Sequence, residues 1–127
     1  MPTMSITTSY SIGSGGKTYV VSKTSGADAT ISEDIADGST NTLVACAFDY
    51  TKVVMCYVVS TVDMTLKTNS SGSPTQTIAL KAGVPLAWNS DQPTSLRIFT
   101  ANVTAVYLTN ASGDDGTFTL SVLVDPT

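Results

Sequence analysis

Apolar and polar residues alternate along this chain with a period of two. The densest apolar stretch, residues 42–69, reads TLVACAFDYTKVVMCYVVSTVDMTLKTN. Around Asp49-Tyr50-Thr51-Lys52 the alternation runs on both sides: Val44, Cys46 and Phe48 share one face of a first strand, and Val54, Cys56 and Val58 one face of a second. Successive strand residues point to opposite faces, so the pattern predicts a hairpin with a consistent inner side. After a kink near Ser60-Thr61, residues 63–68 predict a third strand in which Met64 and Leu66 alternate with polar residues.

The flanks follow the same rule. Residues 5–12, with Ile6, Tyr10 and Ile12 on one side, and residues 17–22 predict two strands joined by Gly13-Ser14-Gly15-Gly16, where glycine supplies positive φ without a steric penalty. A weaker strand over 29–36 closes at Asp37-Gly38, with a helical turn around Glu33–Ala36 left open. Further strands are expected at 75–80, 84–88 and 103–109, the last pairing with 117–124 through the turn at 110–116. Pro85 donates no ladder bond, so its strand, with Val84, Leu86 and Trp88 on one face, belongs at an edge or starts there. Phe118, Leu120, Val122 and Val124 keep a clean alternation. About ten short strands without helical periodicity predict a single-domain, all-β antiparallel sandwich, jelly-roll-like, over residues 1–127, with 1–10 as an N-terminal arm or first strand.

Composition sharpens this picture. A chain of 127 residues is one domain by length. Charged residues make up 13%, about half the usual share, and Ser and Thr fill more than a quarter of the chain. Thr is β-branched and favours strands, so a neutral, hydroxyl-rich β surface is expected. Such a surface gives little electrostatic protection against edge pairing, which fits a protein that meets copies of itself or a lattice. The net charge of −4 and the scattered Lys17, Lys23, Lys52, Lys67, Lys81 and Arg97 argue against a nucleic-acid partner. The start MPTMSITTSYS has no signal-peptide character, and no run approaches the roughly 18 apolar residues of a membrane span, so no membrane association is expected. Asn69, Asn102 and Asn110 each head an Asn-x-Ser/Thr sequence and read as loop chemistry. Cys46 and Cys56 read as two buried reduced thiols, since directly opposed strand positions rarely suit a disulfide.

Candidate chemistry is sparse. There is no histidine, which removes the commonest general base and metal ligand. The acids sit mostly in turns, where they bond the local backbone. Glu33, Asp34 and Asp37, and separately Asp114 and Asp115, are the weak candidates for a metal, and neither group has the spacing of a known calcium loop. No cofactor and no catalytic residue is expected, and an enzyme is not. The aromatics fall on apolar strand faces, with Trp88 the one held in reserve for a ligand or interface.

The segments TLKTNSSGSPTQTIALKAGVPLAW (65–88) and FTANVTAVYLTNASGDDGTFTLSVLVD (99–125) resemble small β-sandwich virion structural proteins of tailed bacteriophages and prophages, of the head decoration or cement type. The likeness rests on a strand ending in Lys-Thr-Asn, a Leu-Lys-Ala-Gly turn, a Pro-containing strand ending in Trp, and Val-Thr-x-x-Tyr. It implies a homotrimer on the outer face of a mature capsid, made in the host cytoplasm and located in the virion, with the major capsid protein and copies of itself as partners. It also implies an N-terminal arm, residues 1–10, that braces neighbouring subunits. Ile6, Tyr10, Pro85 and Trp88 are the expected contact residues. The competing expectation is a tail, fibre or head-fibre module that recognises a host glycan or protein. It requires the loops 69–74, 89–94 and 110–116 to meet at one end.

Overall fold

A computed structural model describes residues 2–125, except for the side chains of residues 10–12. Its ten strands are β1 Thr3–Ile12, β2 Gly15–Thr24, β3 Ala27–Ile35, β4 Thr42–Val44, β5 Val53–Ser60, β6 Met64–Thr68, β7 Gln76–Leu80, β8 Leu86–Asn89, β9 Val106–Thr109 and β10 Gly116–Val124. Two short 3₁₀ turns, Tyr50–Lys52 and Thr94–Leu96, are the only helical pieces among the described residues.

Eight strands form a sandwich of two four-stranded antiparallel sheets, ordered β3-β10-β5-β8 and β4-β9-β6-β7. The logic of the order is a long hairpin: β3 pairs with β10, β4 with β9, β5 with β8 and β6 with β7. Winding that hairpin on itself brings β10 against β5 and β9 against β6. This is jelly-roll topology, and the all-β sandwich expected from the sequence is present. The core lies between the sheets, where the alternating residues Phe118, Leu120 and Val122 of β10 meet Leu66 of β6 and Val106 and Leu108 of β9.

The winding corrects two expected hairpins. Residues 42–60 do not form one ribbon, because β4 and β5 belong to opposite sheets. Residues 45–49 carry the chain across the gap, touching a strand-like partner only at the bridge Phe48 to Val103. Likewise β9 and β10 lie in opposite sheets, and residues 110–115 turn the corner. Alternation reports which face a residue occupies but not which sheet its strand joins, so both crossings looked like hairpins. Two smaller corrections follow. A bulge where β10 leaves register at Leu123/Val124 shifts the inward residue of β5 from Val54 to Val53. Val84, expected on the face of Leu86 and Trp88, lies exposed before β8 begins. The region left open to a helical turn, 33–36, is strand through Ile35.

The corner at 110 has a clear physical cause. Asn110 is fully buried, and its side-chain nitrogen donates to the Ile35 and Asp114 carbonyls at 2.9 and 2.8 Å. Its side-chain oxygen accepts from the Ser112 amide and hydroxyl. Backbone bonds from Gly38 to Asn110 and from Asn110 to Ser39 close the same junction. Every polar group of the side chain is therefore satisfied inside the protein, which is the condition for burying an amide.

Candidate interaction surface

The remaining two strands, β1 and β2, make a separate two-stranded sheet. They pair antiparallel over their whole length, from Thr3 opposite Thr24 to Ile12 opposite Gly15, and turn through Gly13-Ser14. Gly13 has φ 58°, the positive value that a two-residue hairpin turn needs at its first position. Of residues 1–10, expected as an arm or a first strand, 3–10 lie in β1, and Met1 falls outside the described residues.

The hairpin has two unlike faces. Thr3, Ser5 and Ser9 bond across to Thr24, Ser22 and Thr18, a ladder of exposed hydroxyl pairs at 2.8, 2.5 and 3.1 Å. The opposite face carries Met4, Ile6, Val21 and Lys23. That face lies beside β8, where Ile6, Thr8, Tyr19 and Val21 line an open cavity of about 470 Å³ together with Ala87, Trp88, Asn89 and Gln92. Two bonds pin the base of the hairpin to the sandwich and a third closes the hairpin itself. Lys23 Nζ meets Asp91 Oδ2 at 2.6 Å, the Ser25 hydroxyl donates to the Val124 carbonyl at 2.9 Å, and the Ser25 amide donates to the Pro2 carbonyl at 3.1 Å.

Two residues on the outer face of the β3-β10-β5-β8 sheet are buried where the alternation predicts exposure. Met55 and Leu123 are register partners that point away from the core, yet both are 0% exposed. The bonds to Asp91 and to the carbonyl of Val124, next to Leu123 in sequence, hold the hairpin base beside this sheet. The outer half is different: Ser9 and residues 13–18 are exposed, Tyr19 is 53% exposed and Val20 is 63% exposed.

The expected contact residues fall in different places. Ile6 is half-buried in the cavity under the hairpin, and Pro85 is exposed in the turn before β8. Tyr10 is in β1, with its side chain outside the described residues. Trp88, expected at an interface, is only 3% exposed and faces the core, so its ring offers no surface to a partner. Its indole nitrogen donates to the Pro93 carbonyl at 3.1 Å. The Arg97 guanidinium sits 5.2 Å from the Trp88 ring and 5.3 Å from the Tyr50 ring, a cation–π sandwich that no spacing in the sequence announces. The Arg97 Nε is buried without a hydrogen-bond partner.

Three of the candidate acids are held by hydrogen bonds, two from backbone amides and one from a hydroxyl. Asp115 Oδ1 accepts from the Asp37 amide, Asp37 Oδ1 from the Gly113 amide, and Asp34 Oδ1 from the Thr117 hydroxyl. Asp114 is an exposed loop residue, and no group of three or more His, Cys, Asp or Glu could hold a metal ion among the described residues. Both cysteines are free thiols. Burial pushes Cys46 up to about 11 and Cys56 up to about 12, far from a reactive thiolate.

Strand directions place the loops. Residues 69–74 and 89–94 lie at the end where β6 and β8 finish, while 110–115 lies at the opposite end with 61–63 and 81–85. The three loops expected to meet at one end do not.

No family model matches this sequence, and no curated protein does. A solved structure of Bacillus endospore appendages, described as forming a novel family of disulfide-linked pili, aligns at 13% identity. The alignment covers 83% of this chain and 96% of that one, with a TM-score of 0.35, a level of likeness that carries no argument.

Proposed function

We propose that this chain is a non-enzymatic structural protein of a tailed-phage head, a decoration protein that binds the outer surface of the mature shell and braces major capsid subunits. The observation that supports it best is the β1–β2 hairpin. It is an element separate from both sandwich sheets, fixed at its base and exposed in its outer half, and so suited to reaching a neighbouring subunit. Jelly rolls are frequent among viral capsid and lectin domains, a fold-level analogy that agrees with the reading without carrying it. Action is mechanical: many copies bind the assembled shell and not its loose subunits, so binding stabilises the shell by mass action. Nothing in this mechanism calls for a nucleophile, a general base or a metal.

The reading is tested on heads of the encoding phage purified without this protein. Adding it to saturation should raise their melting temperature and their resistance to chelation. A variant lacking the hairpin's outer half, residues 9–18, should bind without protecting, or not bind. Unchanged melting with saturating protein removes the proposal. The host-receptor reading is less favoured, because its three contact loops are split between opposite ends of the sandwich.

A further inference from the structure

Charge on this chain is sorted in a way the totals conceal. Residues 1–26 hold Lys17 and Lys23 and no acid, whereas residues 27–37 hold Asp28, Glu33, Asp34 and Asp37 and no base. The first stretch is the hairpin, and the second is β3 with its exit turn. β3 is an outermost strand: it pairs with β10 on one side, and among the described residues no strand pairs with its other edge. An open strand of nine residues is a template for another strand, because its outward N–H and C=O groups have no ladder partner.

Beside that edge the sandwich is not closed. Where the chain crosses between sheets at 45–48, a groove of about 250 Å³ opens, lined by Ala29, Ile31, Cys46, Phe48, Val122 and Val124. Groove and edge together offer apolar surface and backbone hydrogen bonds side by side, which is what strand addition uses. Glu33 stands on the groove side of β3, opposite Phe118 in register, and is exposed there. An inward-pointing charge at an edge rejects strands that cannot neutralise it.

We infer that the open edge of β3 receives the β2 edge of the hairpin from a second copy of this chain. Length, charge and availability all favour this occupant. β2 has ten residues to set against nine, carries two lysines where the stretch of β3 carries carboxylates and no base, and among the described residues pairs only with β1. Lys23 is held by Asp91 of its own chain, which leaves Lys17, in the exposed outer half, as the cation that meets Glu33 and its neighbours. The contact is heterologous: one copy gives its hairpin and the next gives its edge. Its geometry therefore yields a closed ring if the rotation closes, a trimer included, and a filament if it does not. This inference concerns the isolated protein and does not rest on the capsid reading.

Charge reversal on the full chain tests it by sedimentation and light scattering. Wild type should associate with rising concentration, and added salt should weaken the association, because exposed charges are screened. Lys17→Glu should raise the concentration for half-association at least about tenfold, since like charges then meet, and so should Glu33→Lys. Mixing the two variants should restore association, because each hairpin then finds an edge of opposite sign on the other variant. On association, amide exchange should slow in residues 15–24 and 27–35. A wild type that stays monomeric at its solubility limit overturns the inference. So does association that survives both single reversals, fails to return on mixing, or protects other segments instead. Both side chains are exposed, and near-ultraviolet circular dichroism verifies that the variants fold.

Discussion

Single side chains decide the turns of this molecule. Replacing Asn110 by Ala takes the side-chain partner from the buried Ile35 carbonyl, while the Asp114 carbonyl keeps the Ser112 hydroxyl, and should cost about 1–3 kcal/mol in urea unfolding, since a buried polar group loses its partner without gaining water. A loss near zero would mean the corner at 110 is held by its backbone bonds alone. The two thiols set the alkaline limit. Their folded pKa values, about 11 for Cys46 and about 12 for Cys56, lie above the ordinary 9.0, so the folded state keeps protons that the unfolded chain releases. Their contribution is complete below pH 9 and is lost as pH rises through the folded values. Stability should therefore decline above pH 9, and the double variant Cys46→Ala, Cys56→Ala should flatten that decline whatever its effect at pH 7. Asp49 and Asp63 act on the other limb. Hydrogen bonds from the Thr51 hydroxyl and amide, with Lys52 adding attraction, lower Asp49; the Ala82 amide and Lys81 lower Asp63. Both sites are fully exposed, so the effect is small in size, present above 3.8 and lost as pH falls below it.

At the scale of elements, most strands are legible in the sequence and their partners are not. The alternation Phe118, Leu120, Val122 and the pair Met64, Leu66 mark β10 and β6 correctly, because these residues form the buried inner face of each strand. Pro85 marks where β8 begins, the second of the two places expected for it, and β8 is also an outermost strand. The crossings at 45–49 and 110–115 escape this logic, as does the burial of Met55 and Leu123. Those two sit on the face that a sandwich strand ordinarily turns to solvent, toward the end of the sheet to which the hairpin base is bonded. Leu123→Ala should then cost about 2–5 kcal/mol by urea unfolding, a core-sized loss, whereas a solvent-facing leucine changes stability by about 0.5 kcal/mol or less. A small loss would show that this site is open to solvent. Of the expected contact residues, Trp88 misleads because a lone tryptophan on a short edge strand looks available. The Pro93 carbonyl and Arg97, which hold it inward, follow it in a loop with no periodic signal.

For the whole molecule, ten strands at regular spacing and turn-forming residues between them specify a two-sheet β architecture before any coordinate is known. The winding of the jelly roll adds one fact of arrangement that composition cannot hint at: the two ends of the described chain meet. Ser25 bonds the carbonyl of Pro2 with its amide and that of Val124 with its hydroxyl, so one serine bridges residues from both ends. A peptide of a few residues could span from Asp125 to Pro2, and the chain could be reopened in the exposed stretch Gly72-Ser73 without cutting a strand. The same adjacency lets copies be fused in tandem with short joints, one hairpin beside the next, so that a chosen number of sandwiches is fixed by the gene instead of by concentration.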